Sequence, residues 1–373
     1  MIHPESRLQE ACLELMAEEL EHMREFRNNG GKVLGYLCQA FPPAVAAGLG
    51  MWPVRVLPEA STELEDLGSR LVRPDICPLV KVLLGGVSTG AGLFGMVDVW
   101  IGLATCDQTR RCFSILPGVT GAAVHHIQLP ATRSMASEEY YCRQIGDFCS
   151  DAVQEGHTDG NYDPERAAEY SKHRYHAGEV LARAALSGGI TPLDMHWMFS
   201  VYHMARPEGL SVFFSSLIES DAQYSPGITI SLAGSSIPLE DVTLLRILQD
   251  AGADVIPLHC SALQSVPFNG LNEMTDLFDP QSLAAVAFRS VRCARSRPNE
   301  DMFTYLEDAI RRTSSKGLVV KTMKFCDLWF TERVRLRERI NVPVLVLDTS
   351  YGTGEAERQA NRLEAFLETL EHI

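Results

Sequence analysis

No stretch of the 373-residue sequence approaches the roughly 18 to 20 uninterrupted apolar residues that a bilayer span needs. Its opening, Met1 to Glu25, is acidic and amphipathic where a secretory leader would be basic and then apolar, so the expected address is the cytoplasm and no membrane partner is expected. Basic residues are short in supply: 33 Lys and Arg stand against 48 Asp and Glu, a net charge of -15. Binding to phosphate backbones needs clustered cations that displace counterions, so nucleic acid is not an expected partner. No glycine-rich loop ends in Gly-Lys-Ser or Gly-Lys-Thr, which assigns any ATP hydrolysis to another protein. Ten cysteines are present without a single Cys-x-x-Cys pair, which argues against zinc ribbons and thioredoxin chemistry. A reducing compartment argues against disulfides.

What is there suits a large globular protein. With 46% hydrophobic and 22% charged residues the chain can bury more than one core, and its length predicts two domains. A leading helix is predicted over Glu5 to Arg27, closed by Asn28-Asn29-Gly30-Gly31. Short apolar runs at Val33 to Leu37, Pro53 to Leu57, Val97 to Leu103 and Ala123 to Leu129 read as strands alternating with helices, the pattern of a covered parallel sheet. A polar middle, Gly156 to Arg206, reads as helical. The strand pattern restarts at Ile228 to Leu232, Asp254 to Leu258, Leu318 to Met323 and Val342 to Leu347, with a last helix from Glu355 to Leu370. The expected class is α/β: a first α/β domain over 1–160, a helical connector over 161–225 and a second α/β domain over 226–373.

One plan occurs twice. Ile101-Gly-Leu-Ala-Thr-Cys106-Asp107 and Val320-Lys-Thr-Met-Lys-Phe-Cys326-Asp327 each run from an apolar strand into Cys-Asp and then a helix. In open parallel sheets the crevice beyond the carboxyl ends of the strands is the ligand site, and Asp suits the first turn of the next helix. Cys38, after Val33 to Leu37 and before Pro42-Pro43, has the same placement. Three distant thiols can therefore converge, and converging thiolates suit an iron-sulfur cluster, with one iron left open. Free cysteine is also among the most buried residue types, so composition and spacing alone leave each of the three as a packed thiol.

Other signals are weaker. Gly90-Ala-Gly92-Leu-Phe-Gly95 satisfies G-x-G-x-x-G, but a helical run precedes it and a strand follows, the reverse of a dinucleotide fingerprint. His125 and His126 lie in a strand that sends them to opposite faces, which argues against a shared metal. His173 with His176, and His196 with His203, share helix faces and are expected to be satisfied or solvated. Cys142, Cys149 and Cys112 read as helical packing positions, and Cys260 and Cys293 carry no assigned role. Arg55 near a strand end reads as a surface ion pair, with contact to a ligand phosphate the alternative.

The ordered segments Gly35-Tyr-Leu-Cys38, Pro53-Val-Arg55, Thr105-Cys106-Asp107, Leu232-Ala-Gly-Ser-Ser-Ile-Pro238, Lys324-Phe-Cys326-Asp327, Val342 to Asp348 and Arg362 to Phe366 resemble the 2-hydroxyacyl-CoA dehydratase and benzoyl-CoA reductase family. The resemblance runs along most of the chain and fades between about Gly156 and Tyr224. It implies two Rossmann-like (flavodoxin-like) halves with a 4Fe-4S cluster between them, held by Cys38, Cys106 and Cys326. It also implies an oxygen-sensitive lyase or reductase of anaerobic metabolism, acting on an acyl-CoA through a ketyl radical anion. Its partners would be an ATP-dependent iron-sulfur activator protein and a related second subunit in a heterodimer, or a second copy in a homodimer. Cys77, in Ile76-Cys-Pro-Leu-Val-Lys81, is similar to an added cysteine of relatives with a double-cubane 8Fe-9S cluster, the basis of an alternative reading as a small-molecule reductase. Pro42-Pro43-Ala44 departs from the family, many of whose members place acidic residues there. That departure supports a further alternative, a non-catalytic scaffold subunit.

Overall fold

The computed structural model describes residues 4–372 apart from 58–60, 159, 222–223, 225–226, 240–241, 259–277, 291–292, 296–297 and 352–354. Helix α1 (Arg7–Asn28) begins at Ser6, whose side chain accepts from the backbone N–H of Gln9, and leads into the first sheet. That half contains β1 (Val33–Tyr36), α2 (Pro43–Gly48), β2 (Trp52–Arg55), α3 (Thr62–Ser69), α4 (Pro78–Thr89), β3 (Val99–Ala104), α5 (Asp107–Thr120), β4 (Ala123–Gln128) and α6 (Met135–Gln154). Helices α7 (Pro164–Ser187), α8 (Pro192–Met204) and α9 (Leu210–Asp221) follow. The second half contains β5 (Ile228–Gly234), α10 (Thr243–Asp250), β6 (Ala253–Pro257), α11 (Pro280–Ser290), α12 (Glu300–Thr313), β7 (Gly317–Met323), α13 (Asp327–Arg339), β8 (Val344–Thr349) and α14 (Glu355–Glu371).

Both sheets are wholly parallel, with orders β2-β1-β3-β4 and β6-β5-β7-β8. The α/β class with two parallel-sheet halves is therefore as expected. The strands read as near-continuous apolar runs because helices cover both faces; all seven residues of β7 are buried. Gly90 to Gly95 falls between α4 and β3, with a 3-10 turn over Gly92–Met96, so the glycine pattern does not open a helix after a strand.

Each sheet has one point where the strand order reverses: between β1 and β3 in the first, between β5 and β7 in the second. These are the switch points at which doubly wound sheets hold ligands. Cys38 follows β1, Cys106 follows β3 and Cys326 follows β7. The equivalent turn after β5 carries Gly234 and Ser235 instead of a thiol. Gly234 adopts φ +115, and a Cβ there would stand 1.8 Å from the carbonyl oxygen of Lys321, so this turn lies tight against β7 and only glycine fits it.

The polar middle folds in an unexpected way. Every residue of α8 from Pro192 to His203 is buried, including Asp194, His196, Ser200 and His203. A helix buried all round has no polar stripe to reveal it. Its polar groups are matched internally: Asp194 accepts from Ser6 Oγ at 2.7 Å and Gln9 Nε2 at 2.8 Å, and His196 Nε2 meets Pro238 O at 3.2 Å. Helix α11, late in the sequence, packs back on the first half, where Ala284 and Phe288 join the core of Tyr36, Phe41, Tyr141 and Phe148.

Candidate thiol site between the sheets

Cys38, Cys106 and Cys326 each stand where a strand has ended and a helix or tight turn begins, whereas Cys77 ends the loop between α3 and α4. Cys106 is the N-cap of α5: its Sγ accepts from Thr109 N at 3.4 Å, while Thr109 Oγ1 accepts from Cys106 N at 3.1 Å. Cys326 is the N-cap of α13 and follows Phe325, which holds φ 64, a left-handed conformation uncommon outside glycine. Cys77 is the N-cap of α4, with Pro78 behind it at the first helical position. Helix α4 is seated tightly on α3, since a Cβ on Gly85 would lie 2.0 Å from Leu64 O. Cys38 Sγ accepts from Ala40 N at 3.4 Å, and the loop around it is fixed by Tyr141, whose hydroxyl donates to Ala40 O at 2.6 Å.

Gln108 connects these turns. Its Oε1 accepts from the backbone N–H of Cys77, and its Nε2 donates at 2.8 Å to Phe325 O, the residue before Cys326. One carboxamide, two residues past Cys106, thus ties the Cys77 turn of the first half to the Cys326 turn of the second. The thiols also sense one another. Burial raises the pKa of Cys38, opposed by the Ala40 N–H and by the charges of Arg295 and Arg55, with Cys106 adding to the rise. Burial pushes Cys77 up to about 12, helped by Cys326 and Cys106. Burial likewise raises Cys326, against the N–H groups of Trp329 and Leu328, with Cys106 again adding to it.

Arg295 closes one side. It is buried, donates from Nε to Thr105 O at 3.0 Å and from Nη2 to Leu129 O, and its charge acts on Cys38 and on Cys293. Gln108, Arg295 and Cys293 were not singled out by sequence reasoning; the Cys-Asp-Gln order around Cys106 was the one signal for the first of them. Arg55 corrects its expectation. It is not a surface ion pair but a buried group with its pKa lowered by burial to about 10, donating to Leu37 O at 2.9 Å and meeting His203 Nε2 at 3.0 Å. The end of β2 is covered by α8, which takes Arg55 out of solvent. Cys12, Cys112 and Cys149 are buried in helices, as packing positions are; Cys260 lies outside the described residues.

The thiols do not gather tightly enough to share one metal ion. Among the described residues, the group of three or more ligand atoms lying within 4.8 Å of one another is His125, Glu155 and His157. A cluster makes a different demand, because its ligands bind different irons and stand further apart than the ligands of a single ion.

Comparison with known proteins agrees with the sequence resemblance. The chain matches the family described as "2-hydroxyglutaryl-CoA dehydratase, D-component" over residues 38–370. It is similar to the "Putative dehydratase subunit YjiM" of Escherichia coli (strain K12), with 20% identity over 371 residues and 93% of each chain covered. Among solved structures, it aligns with the Pseudomonas aeruginosa protein titled "Structure of the SBP FpvC from pseudomonas aeruginosa in complex with Mn2+" at 11% identity, covering 91% of this chain and 99% of that one. The TM-score is 0.21, too low to carry an argument.

Proposed function

The chain belongs to the 2-hydroxyglutaryl-CoA dehydratase D-component family, and from that premise we propose that it is the iron-sulfur subunit of a dehydratase or reductase acting on acyl-CoA thioesters. Cys38, Cys106 and Cys326 would hold a 4Fe-4S cluster between the two sheets. The observation that carries this reading is that Cys38, Cys106 and Cys326 each follow a strand at one of the two switch points, with Gln108, two residues past Cys106, hydrogen-bonded to the Cys326 turn of the other half. The donor set fits the group. Thiolates are the ligands that iron-sulfur clusters take, N–H groups face the sulfurs, and Arg295 and Arg55 supply positive charge beside Cys38 to offset an anionic centre.

When bound, the cluster supplies one electron at low potential and an iron open to a substrate oxygen. The chain's own residues do the rest. Thr109 and Ala40 hold Sγ of Cys106 and Cys38 through backbone N–H groups, Tyr141 fixes the Cys38 loop, and Gln108 sets the spacing between the halves. The turn after β5, where Gly234 packs on β7, offers no thiol, in keeping with three ligands rather than four. The D-component designation of the family suggests a related subunit that would complete the enzyme, and a separate ATP-hydrolysing activator would deliver the electron.

One observation favours a second reading. Cys77 donates its N–H to Gln108, the side chain two residues past Cys106 that also holds Phe325 O before Cys326, so a double-cubane cluster with Cys77 among its ligands is the alternative.

The test is iron and acid-labile sulfide per chain after anaerobic purification, in the native protein and in Cys38→Ala, Cys106→Ala, Cys326→Ala and Cys77→Ala. The first reading expects about four irons, lost in the first three variants and kept in the fourth. About eight irons, reduced by Cys77→Ala, would select the second. A folded protein that takes up no iron after reconstitution would leave the chain as a scaffold.

A further inference from the structure

A second group of ligands stands apart from the thiols. On edge strand β4, His125 turns its ring toward α6, where it packs edge-on against Phe148 with centroids 5.0 Å apart. Helix α6 runs back along the strand and ends at Glu155. There the chain reverses through Gly156 at φ 71, with Gly156 N donating to Val153 O at 3.2 Å and His157 N to Ala152 O at 2.9 Å. This turn returns Glu155 and His157 to the strand. His125 Nε2 stands 3.4 Å from Glu155 Oε2, and His157 Nε2 stands 3.0 Å from the same oxygen. The two rings are perpendicular, 5.7 Å apart.

Two features go beyond a histidine-carboxylate contact. The buried Nε2 of His125 has no hydrogen-bond partner although it points into this group, and an orphaned buried ring nitrogen costs free energy unless something meets it. The spacing also suits a shared ion. A tetrahedral ion with bonds of about 2.0 to 2.1 Å spaces its ligand atoms about 3.3 Å apart; the two pairs that share Glu155 Oε2 stand at 3.4 and 3.0 Å, and all three ligand atoms lie within 4.8 Å of one another.

We propose that His125, Glu155 and His157 bind a divalent cation of the zinc class. Two imidazoles and one carboxylate match the preference of such ions, whereas magnesium and calcium favour oxygen-only shells and Cu(I) favours sulfur. Glu155 is 53% exposed, so the remaining coordination positions face water. Asp151, one turn earlier on α6, adds negative charge near His125. Bound there, the ion clamps β4 to the C-terminus of α6 at the end of the sheet opposite the thiols.

The experiment titrates Co2+, and then Zn2+ in competition, into anaerobically purified full-length protein, followed by visible absorption and by the thermal midpoint. The expected result is one saturable Co2+ with weak visible bands and no sulfur-to-metal charge-transfer band, displaced by Zn2+, with a rise in the midpoint. Glu155→Gln, at an exposed carboxylate, and His157→Ala should lose that binding at unchanged iron content, and Cys106→Ala should keep it. The proposal is overturned if no saturable Co2+ binds, if binding survives both Glu155→Gln and His157→Ala, or if the bands are those of a thiolate complex and vanish with Cys106→Ala.

Discussion

At the scale of single residues, Gln108 is where the two halves meet most directly. Its amide accepts from Cys77 N and donates to Phe325 O, and replacing it leaves both backbone groups without that partner in a half-buried crevice. Each lost hydrogen bond costs about 0.5 to 1.5 kcal/mol net. Gln108→Leu should therefore lower stability by about 1 to 3 kcal/mol and reduce the iron retained after desalting, measured together as thermal midpoint and iron per chain. Gln108→Glu should be no better, since a carboxylate cannot donate to Phe325 O and would repel an anionic centre. An unchanged midpoint with full iron in Gln108→Leu would remove the bridge from the account. Residues of this kind are poorly legible in sequence. Cys106 and Cys326 announce themselves through strand, Cys-Asp and helix, but an isolated Gln or Arg295 gains its role from a backbone carbonyl some 200 positions away. His125 was legible in the same partial way. Strand alternation correctly separates it from His126, yet gives no hint of His157, which arrives only because α6 folds back along β4.

At the scale of elements, period and punctuation revealed each of the eight strands among the described residues, because buried parallel strands are short apolar runs bounded by turn residues. Helix α12 was equally readable from Met302, Phe303, Leu306, Ala309 and Ile310, which form its buried face, although no expectation was attached to it. Helix α8 was not, for lack of a polar stripe. The leading helix α1 was found by its spacing, but what holds it was hidden: Glu19 accepts from Arg206 N, Nε and Nη2 at 2.8 to 3.2 Å, beside His22, and Arg206 stacks over Trp52. Burial alone would raise the pKa of Glu19, but the Arg206 hydrogen bonds and charge, with His22, outweigh it and hold the carboxyl below its ordinary 4.5. A depressed folded-state pKa means that the unfolded chain binds the proton more readily, so this contact stabilises the protein above about pH 4.5 and is lost as pH falls through the folded value. The midpoint should thus owe nothing of its pH dependence between 7 and about 5 to Glu19, and part of its fall below that. Glu19→Gln should flatten that part and cost about 1 to 2 kcal/mol at pH 7, the half-exposed Arg206 keeping the figure modest. A variant with the same acid limb as the native protein would show that Glu19 is not the titrating anchor.

At the scale of the whole molecule, the two sheets repeat one strand order, and their sequences read as two successive α/β units. We expect the division at 1–160, 161–225 and 226–373 to describe the chain's order better than its folding. The contacts cross it: α11 packs on α6, Arg295 holds Thr105 O and Leu129 O, Gln108 holds Phe325 O, and Arg246 pairs with Glu5 at 2.6 Å. Periodicity could show that α11 has an apolar face but not that its partner lies more than a hundred residues upstream. Burying Phe288 alone is worth about 2 to 3 kcal/mol, and a fragment that begins at 226 exposes it together with Leu283 and Ala284. A fragment that ends at 225 uncovers Tyr141, whose ring packs on Phe288 with centroids 5.7 Å apart, on the other side of the same contact. Separately expressed, fragments 1–225 and 226–373 should each lack a cooperative thermal transition. Co-expressed, they should form a one-to-one complex whose midpoint lies within a few degrees of the intact chain. A sharp transition in fragment 226–373 alone, with no affinity for its counterpart, would mean that the halves fold as independent domains.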